Sequence, residues 1–212
     1  MKKIIALGLA IMLLLGMLSG CGKADELEMS AVAGAWVTVK ADTAEEATAL
    51  LESIEAYEEE LALADVNSLE YVKVACFMEN GSYYLGYDVE GTKACVRDFY
   101  DRYFNALYEG RSTLNDLYSE TFDEMTLEEF LQCFAEIYGR ESYAQLLDSL
   151  TEGAYDYASL EEPTETGTFH ISGQDLMCTV TGTNVEEALG AAVAEGVLTL
   201  TYADGVEVYT KK

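Results

Sequence analysis

The sequence predicts an α+β fold: an antiparallel β-meander or partial barrel interrupted by a helical middle region. Three observations carry this. Strand-like segments bracket helix-like ones along the chain. Alternating apolar runs meet three times at a residue-Gly turn, at Asn80-Gly81, Ser172-Gly173 and Asp204-Gly205, which is a hairpin signal. Between about Thr92 and Thr151 the apolar spacing changes from every second residue to every third or fourth, which is a helical stripe.

Taken in order, Gly34 to Lys40 reads as a first strand from its β-branched and aromatic content. Thr43 with Glu46 makes a capping box that opens a helix of about twenty residues. Ala47, Leu50, Leu51, Ile54, Tyr57 and Leu61 form its apolar stripe, and Glu52, Glu55, Glu58, Glu59 and Glu60 read as its solvated face. A hairpin follows. Val72, Val74, Cys76 and Met78 alternate with Lys73, Ala75 and Phe77, and Tyr83, Leu85, Tyr87 and Val89 return, one face being wetter than the other.

In the helical middle, Cys95, Phe99, Tyr103 and Leu107 lie beside Val96, Tyr100, Phe104 and Tyr108 on a broad aromatic face, with Arg97/Asp101 and Asp98/Arg102 at i,i+4 spacing. Thr126 with Glu129 caps a later helix that Gly139 ends, and a shorter helix spans about Ser142 to Leu150. Beyond Pro163 the strands resume at Gly167–Ile171 and Asp175–Val180. Asn184 with Glu187 predicts a short capped helix, and Val197–Tyr202 and Val206–Tyr209 complete the meander.

The N-terminus carries a different signal. Lys2 and Lys3 precede an apolar run from Ile4 to Leu18, and Leu18-Ser-Gly-Cys21 then reads as a lipobox, so Cys21 is the expected site of diacylglyceryl modification. The apolar run is shorter than the roughly 20 residues a spanning helix requires. The expected organisation is a signal peptide over 1–20, the lipidated cysteine and a polar tether over 21–31, and one α+β domain over 32–212 with its helical insertion at about 91–158. A lipid-anchored protein on the extracytoplasmic face of the cell membrane follows, and the style of the lipobox with the acidic composition resembles Gram-positive lipoproteins.

Charge narrows the partners. Of 12 basic residues, Lys2 and Lys3 leave with the signal, so ten face 39 acidic ones and the formal charge moves from −27 to −29. Such a chain repels nucleic-acid phosphates and anionic headgroups alike, which leaves the acyl chains at Cys21 as the membrane contact. Cys76, Cys95, Cys133 and Cys178 each fall on an apolar periodic position, so they read as buried small hydrophobes, although export permits disulfides. No Cys/His spacing suits zinc, and no acidic stretch has the ligand alternation and central glycine of a calcium loop. No metal or cofactor is expected. The sequence lacks a nucleophile elbow, a phosphate-binding loop, a dinucleotide fingerprint and a metalloprotease motif. Its one histidine, His170, shares a strand face with Thr168 and Ser172 and reads as an ordinary exposed residue, so no catalytic residue is assigned.

Gly34-Ala-Trp36 in the first strand resembles the Gly-x-Trp of lipocalin-like domains, and the segments from Gly167 to Leu176 and from Val197 to Gly205 resemble the meander hairpins of small lipocalin-like bacterial lipoproteins. The pieces cover about 70 residues. The last strand ends Thr210-Lys211-Lys212, without the arginine that often packs on the family tryptophan, and the helical middle is foreign to a standard meander. The resemblance implies that Gly34 and Trp36 are structural, with Trp36 plugging one barrel end, and that the other end holds a small apolar or amphipathic ligand. Two other functions stand beside this non-enzymatic binder: an interaction module docking another envelope protein, and a hydrolase using two buried carboxylates in one cleft.

Overall fold

The computed structural model describes residues 27–118, 121–203 and 205–212. The segment expected to be a signal peptide, Cys21, and Asp204 of the third residue-Gly turn lie outside the described residues. Eight strands, β1 (Gly34–Ala41), β2 (Glu70–Phe77), β3 (Ser82–Tyr87), β4 (Glu165–Ser172), β5 (Asp175–Val180), β6 (Glu186–Ala194), β7 (Val197–Tyr202) and β8 (Gly205–Lys211), pair antiparallel in chain order. β8 pairs back onto β1, so the expected partial barrel is closed and presents no free edge. The helices are α1 (Met29–Val32), α2 (Ala44–Glu52), α3 (Glu58–Leu61), α4 (Val89–Glu109), α5 (Asn115–Tyr118), α6 (Leu127–Ile137), α7 (Tyr143–Ala154) and α8 (Tyr157–Leu160).

This topology makes the barrel ends unlike. The β2–β3, β4–β5 and β6–β7 turns lie at one end, together with α1 and the end of β8. The long connections 42–69 and 88–164 leave from the other. α2 and α3 therefore join α4 to α8 beside the mouth of the barrel. They share one core in which Leu50, Leu51, Val96, Phe104, Phe130 and Phe134 are buried. The second core is the barrel lumen, with Trp36, Ala75, Phe77, Phe169, Leu176, Leu198 and Leu200. The eight described strands and both cores lie within residues 27–212.

The capping boxes at Thr43/Glu46 and Thr126/Glu129 form as the sequence predicts, and Gly139 follows α6 with φ +69°, the left-handed conformation that terminates a helix. The Arg102–Asp98 pair forms at 2.8 Å. Arg97 instead reaches Asp148 on α7, while Asp101 accepts a 2.9 Å bond from the Tyr143 hydroxyl, because α7 packs alongside α4 and offers both residues better partners.

Several expectations are corrected. The twenty-residue helix breaks: α2 ends at Glu52, Glu55 adopts φ +63°, and α3 restarts with the Glu60 carboxylate accepting the Tyr57 backbone N–H at 2.8 Å. Glu60 is consequently buried rather than part of a solvated face, and it also accepts the Tyr118 hydroxyl at 2.7 Å. The helix expected at Asn184 is strand β6. Its first half pairs with β5, its second half pairs with β7, and the turn at Glu195-Gly196 has both residues at positive φ. Closing the barrel needs a strand there, and two neighbouring ladders outweigh the helical preference of an alanine-rich segment. Finally, β2 is not simply covered on one face and wet on the other. Val72 is buried beside the start of α4, its N–H donating to the Thr92 hydroxyl at 3.1 Å, while Ala75 and Phe77 point into the lumen and Lys73, on that same inward face, stays partly exposed at the mouth. Val89, expected in the returning strand, opens α4.

Residues 27–32 belong to the barrel's packing. The Leu27 N–H bonds to the Gly173 carbonyl, and Leu27, Met29 and Val32 pack on the lumen core, so the chain is docked at the closed end from Leu27 onward. Cys178 is buried in the lumen, Cys133 packs against the helical core, and Cys76 and Cys95 are half-buried. Burial, with the nearby Glu165 and Glu187 charges, pushes the Cys178 thiol up to about 12, so it stays protonated near neutrality.

Candidate functional site

Register determines what faces the lumen. Trp36 stands opposite Ala75, Thr38 opposite Lys73, and Lys40 opposite Tyr71, so Lys40 and Lys73 lie on the same barrel face as the buried tryptophan. Lys73 in turn opposes Tyr87 on β3. On the other side of β1, Glu207 lies on the inward face of β8 with Tyr209. The β1–β8 ladder runs over Trp36↔Lys211 and Val37↔Thr210. Nearer the mouth Lys40 bridges to Glu207 at 2.7 Å, and Lys73 reaches the same carboxylate oxygen at 3.6 Å.

These side chains line a cavity of about 580 Å³ at the mouth, together with Leu85, Tyr87, Tyr202 and Tyr209. Glu207 titrates low. Burial would raise it, but hydrogen bonds from Lys40 and Tyr209 and the charges of both lysines outweigh burial and hold the carboxylate below its usual range. Burial pushes Tyr202 up to about 12 and raises Tyr209 as well, so both keep their hydroxyl protons at physiological pH. Leu85 and Tyr202 also line a second, 150 Å³ compartment with Phe77, Tyr83, Cys178 and Leu200, on whose wall stand Glu165 and Glu187. The Tyr83 hydroxyl donates to Glu165 at 2.7 Å. The lumen is therefore apolar at depth, and its mouth carries charge of both signs with aromatic rings between.

A separate cleft of about 480 Å³ lies between α2, the mouth and the α7–α8 region, lined by Asp42, Glu46, Tyr71, Tyr87 and Tyr155. Burial raises Asp42 against the 2.9 Å hydrogen bond from Tyr155, while Glu46 is held low by the Thr43 backbone and side chain. Glu46 is thereby accounted for as the reciprocal half of a helix cap. Among the described residues no group of three or more His, Cys, Asp or Glu is arranged to hold a metal ion.

The residues singled out in the sequence fall elsewhere. Cys21 lies outside the described residues. Trp36 fills the closed end, 1% exposed, with its indole N–H donating to the Val32 carbonyl of α1 at 2.7 Å. Lys211 packs beside it, its ammonium 5.4 Å from the centre of the Trp36 ring. Gly34, at φ +135°, leaves room for that side chain, since a Cβ there would meet Lys211 Cε at 3.2 Å. His170 is exposed on the outer face of β4. The sequence reading missed Lys40, Lys73 and Glu207. The signal was their even spacing from Trp36, Phe77 and Tyr209, which places each on an inward face.

No family model, no curated protein and no solved structure matches this chain. The molecule is thus defined by its architecture: an α+β protein in which a closed eight-stranded antiparallel barrel carries a helical layer beside its mouth.

Proposed function

We propose that this is a lipid-anchored, extracytoplasmic, non-enzymatic protein of lipocalin-like type that binds a small amphipathic ligand in the barrel mouth. The observation that supports it best is the 580 Å³ cavity lined by lysine, glutamate, tyrosine and leucine, a size and mixture suited to one small molecule. A polar rim over an apolar floor favours an amphipathic ligand over a purely apolar one. The anchor would sit beneath the closed end. Only residues 22–26 separate Cys21 from the docked Leu27, about 17 Å when extended, so the mouth would face away from the membrane.

Native mass spectrometry of residues 22–212 recovered from the host tests this reading. A reproducible extra mass that leaves on denaturation is the expected result, and the bare chain mass from every preparation counts against it. Replacing Cys21 with alanine tests the anchor, with loss of acyl labelling expected. Docking to another envelope protein is a second reading, favoured by the exposed Val39 and Val208 on the outer surface of the adjacent strands β1 and β8. Crosslinking in cells that returns no partner above background would remove it.

A further inference from the structure

We infer that the ligand of this mouth is dipolar, with an anionic group held by Lys73 and Lys40 and an ammonium group held by Glu165 and Glu187. The inference rests on the ligand-binding reading above and names the chemistry of that ligand.

Charge is sorted by wall. The lysines stand on β1 and β2, and the two glutamates stand on β4 and β6, across the lumen in an eight-stranded ring. The sorting is unusual for this chain. Beyond residue 20, 39 acidic residues face ten basic ones, yet two of those ten turn inward at one rim. One carboxylate, Glu207, faces both ammonium groups. It lies closer to Lys40, at 2.7 Å, than to Lys73, at 3.6 Å, which leaves Lys73 with donor capacity to spare. On the far wall, among the described residues, no lysine, arginine or histidine lies within ion-pair distance of Glu165 or Glu187. Glu165 has one oxygen on the Tyr83 hydroxyl and the other open to a donor. Leu85 and Tyr202 line both compartments and so bridge the two walls. They offer an apolar contact to a connecting chain, and the tyrosine ring offers a face to a cation. A singly charged ligand would satisfy one wall and leave the other unmatched.

The test is isothermal titration of residues 22–212 with ω-amino acids of about six to twelve carbons, alongside the alkylamine, carboxylate and alkanol of the same chain length. The zwitterion of best length should bind at least about tenfold more tightly than each analogue. Lys73→Gln should remove its advantage over the amine, and Glu165→Gln its advantage over the carboxylate, with circular-dichroism melting checking that both variants fold. Equal affinity for any analogue in the wild-type protein overturns the dipolar assignment while leaving the cavity a binding site. Absence of binding by the whole series also overturns it, and the host-derived mass spectrum then judges the ligand-binding reading separately.

Discussion

The two ends of the barrel are built from the same strands, with opposite results. At the closed end, inward positions carry Trp36, Phe77, Phe169, Leu176 and Leu198, α1 is laid across them, and little is left exposed. Near the mouth, the same inward faces carry Lys40, Lys73, Glu165, Glu187 and Glu207, and a cavity remains. One strand serves both purposes: β1 runs from the tryptophan that fills one end to a lysine that charges the other, four residues on. Stability is concentrated where apolar side chains interlock. The charged groups of the proposed site sit where packing stops and polar groups keep access to water.

Substitutions can break or sharpen this contrast. The largest effect is expected for Trp36→Ala, which empties the closed end and should cost about 3–5 kcal/mol, read from the urea midpoint. Gly167→Ala should follow at about 1–3 kcal/mol by overpacking. A Cβ there would lie 2.4 Å from the Thr179 carbonyl oxygen and 2.6 Å from the Tyr83 ring, and backbone cannot yield as a flexible side chain can. Lys211→Met keeps the apolar stem over Trp36 and removes the cation, so a loss of only about 0.5–1 kcal/mol is expected. If it cost as much as Trp36→Ala, the lysine would be part of the plug rather than an accessory to it.

The mouth should respond least. Glu207→Gln should change neutral stability by about 0–1 kcal/mol, as for other half-exposed ion pairs. Its pH dependence identifies the cause. The folded protein holds Glu207 below the ordinary carboxylate range, so its contribution is present above the unfolded value and is lost as pH falls through the lowered one. Wild-type and variant urea midpoints should therefore differ at neutral pH and converge in acid. A difference that persists at low pH would trace the effect to packing instead of charge.

Much of the fold was legible in the sequence because local rules wrote it. The alternation of Leu198 and Leu200 with Thr199 and Thr201 gave β7 its inward face, and the two Thr-x-x-Glu boxes fixed where α2 and α6 begin. The candidate site was less legible. Lys73 read as the wet side of a one-sided strand, whereas β2 packs against α4 on one face and lines the lumen with the other. Alternation tells which residues share a face but not what that face meets. Glu60 shows the same limit in a helix. Its place in an acidic run suggested solvent, but the break at Glu55 redirected α3 so that the carboxylate caps Tyr57 and receives Tyr118 from a distant segment.

The sequence alone determined that strands would flank a helical middle, where the Gly turns would fold the chain back, and that aromatic residues would supply much of the packing. Tertiary structure decided that the meander closes, that Glu186–Ala194 becomes a strand, and that the lysines of β1 and β2 meet Glu207 of β8 inside one mouth. The division has a physical cause. Turn geometry, capping and periodicity act over a few neighbouring residues, while strand closure and charge pairing join positions more than 130 residues apart and exist only once the barrel has formed.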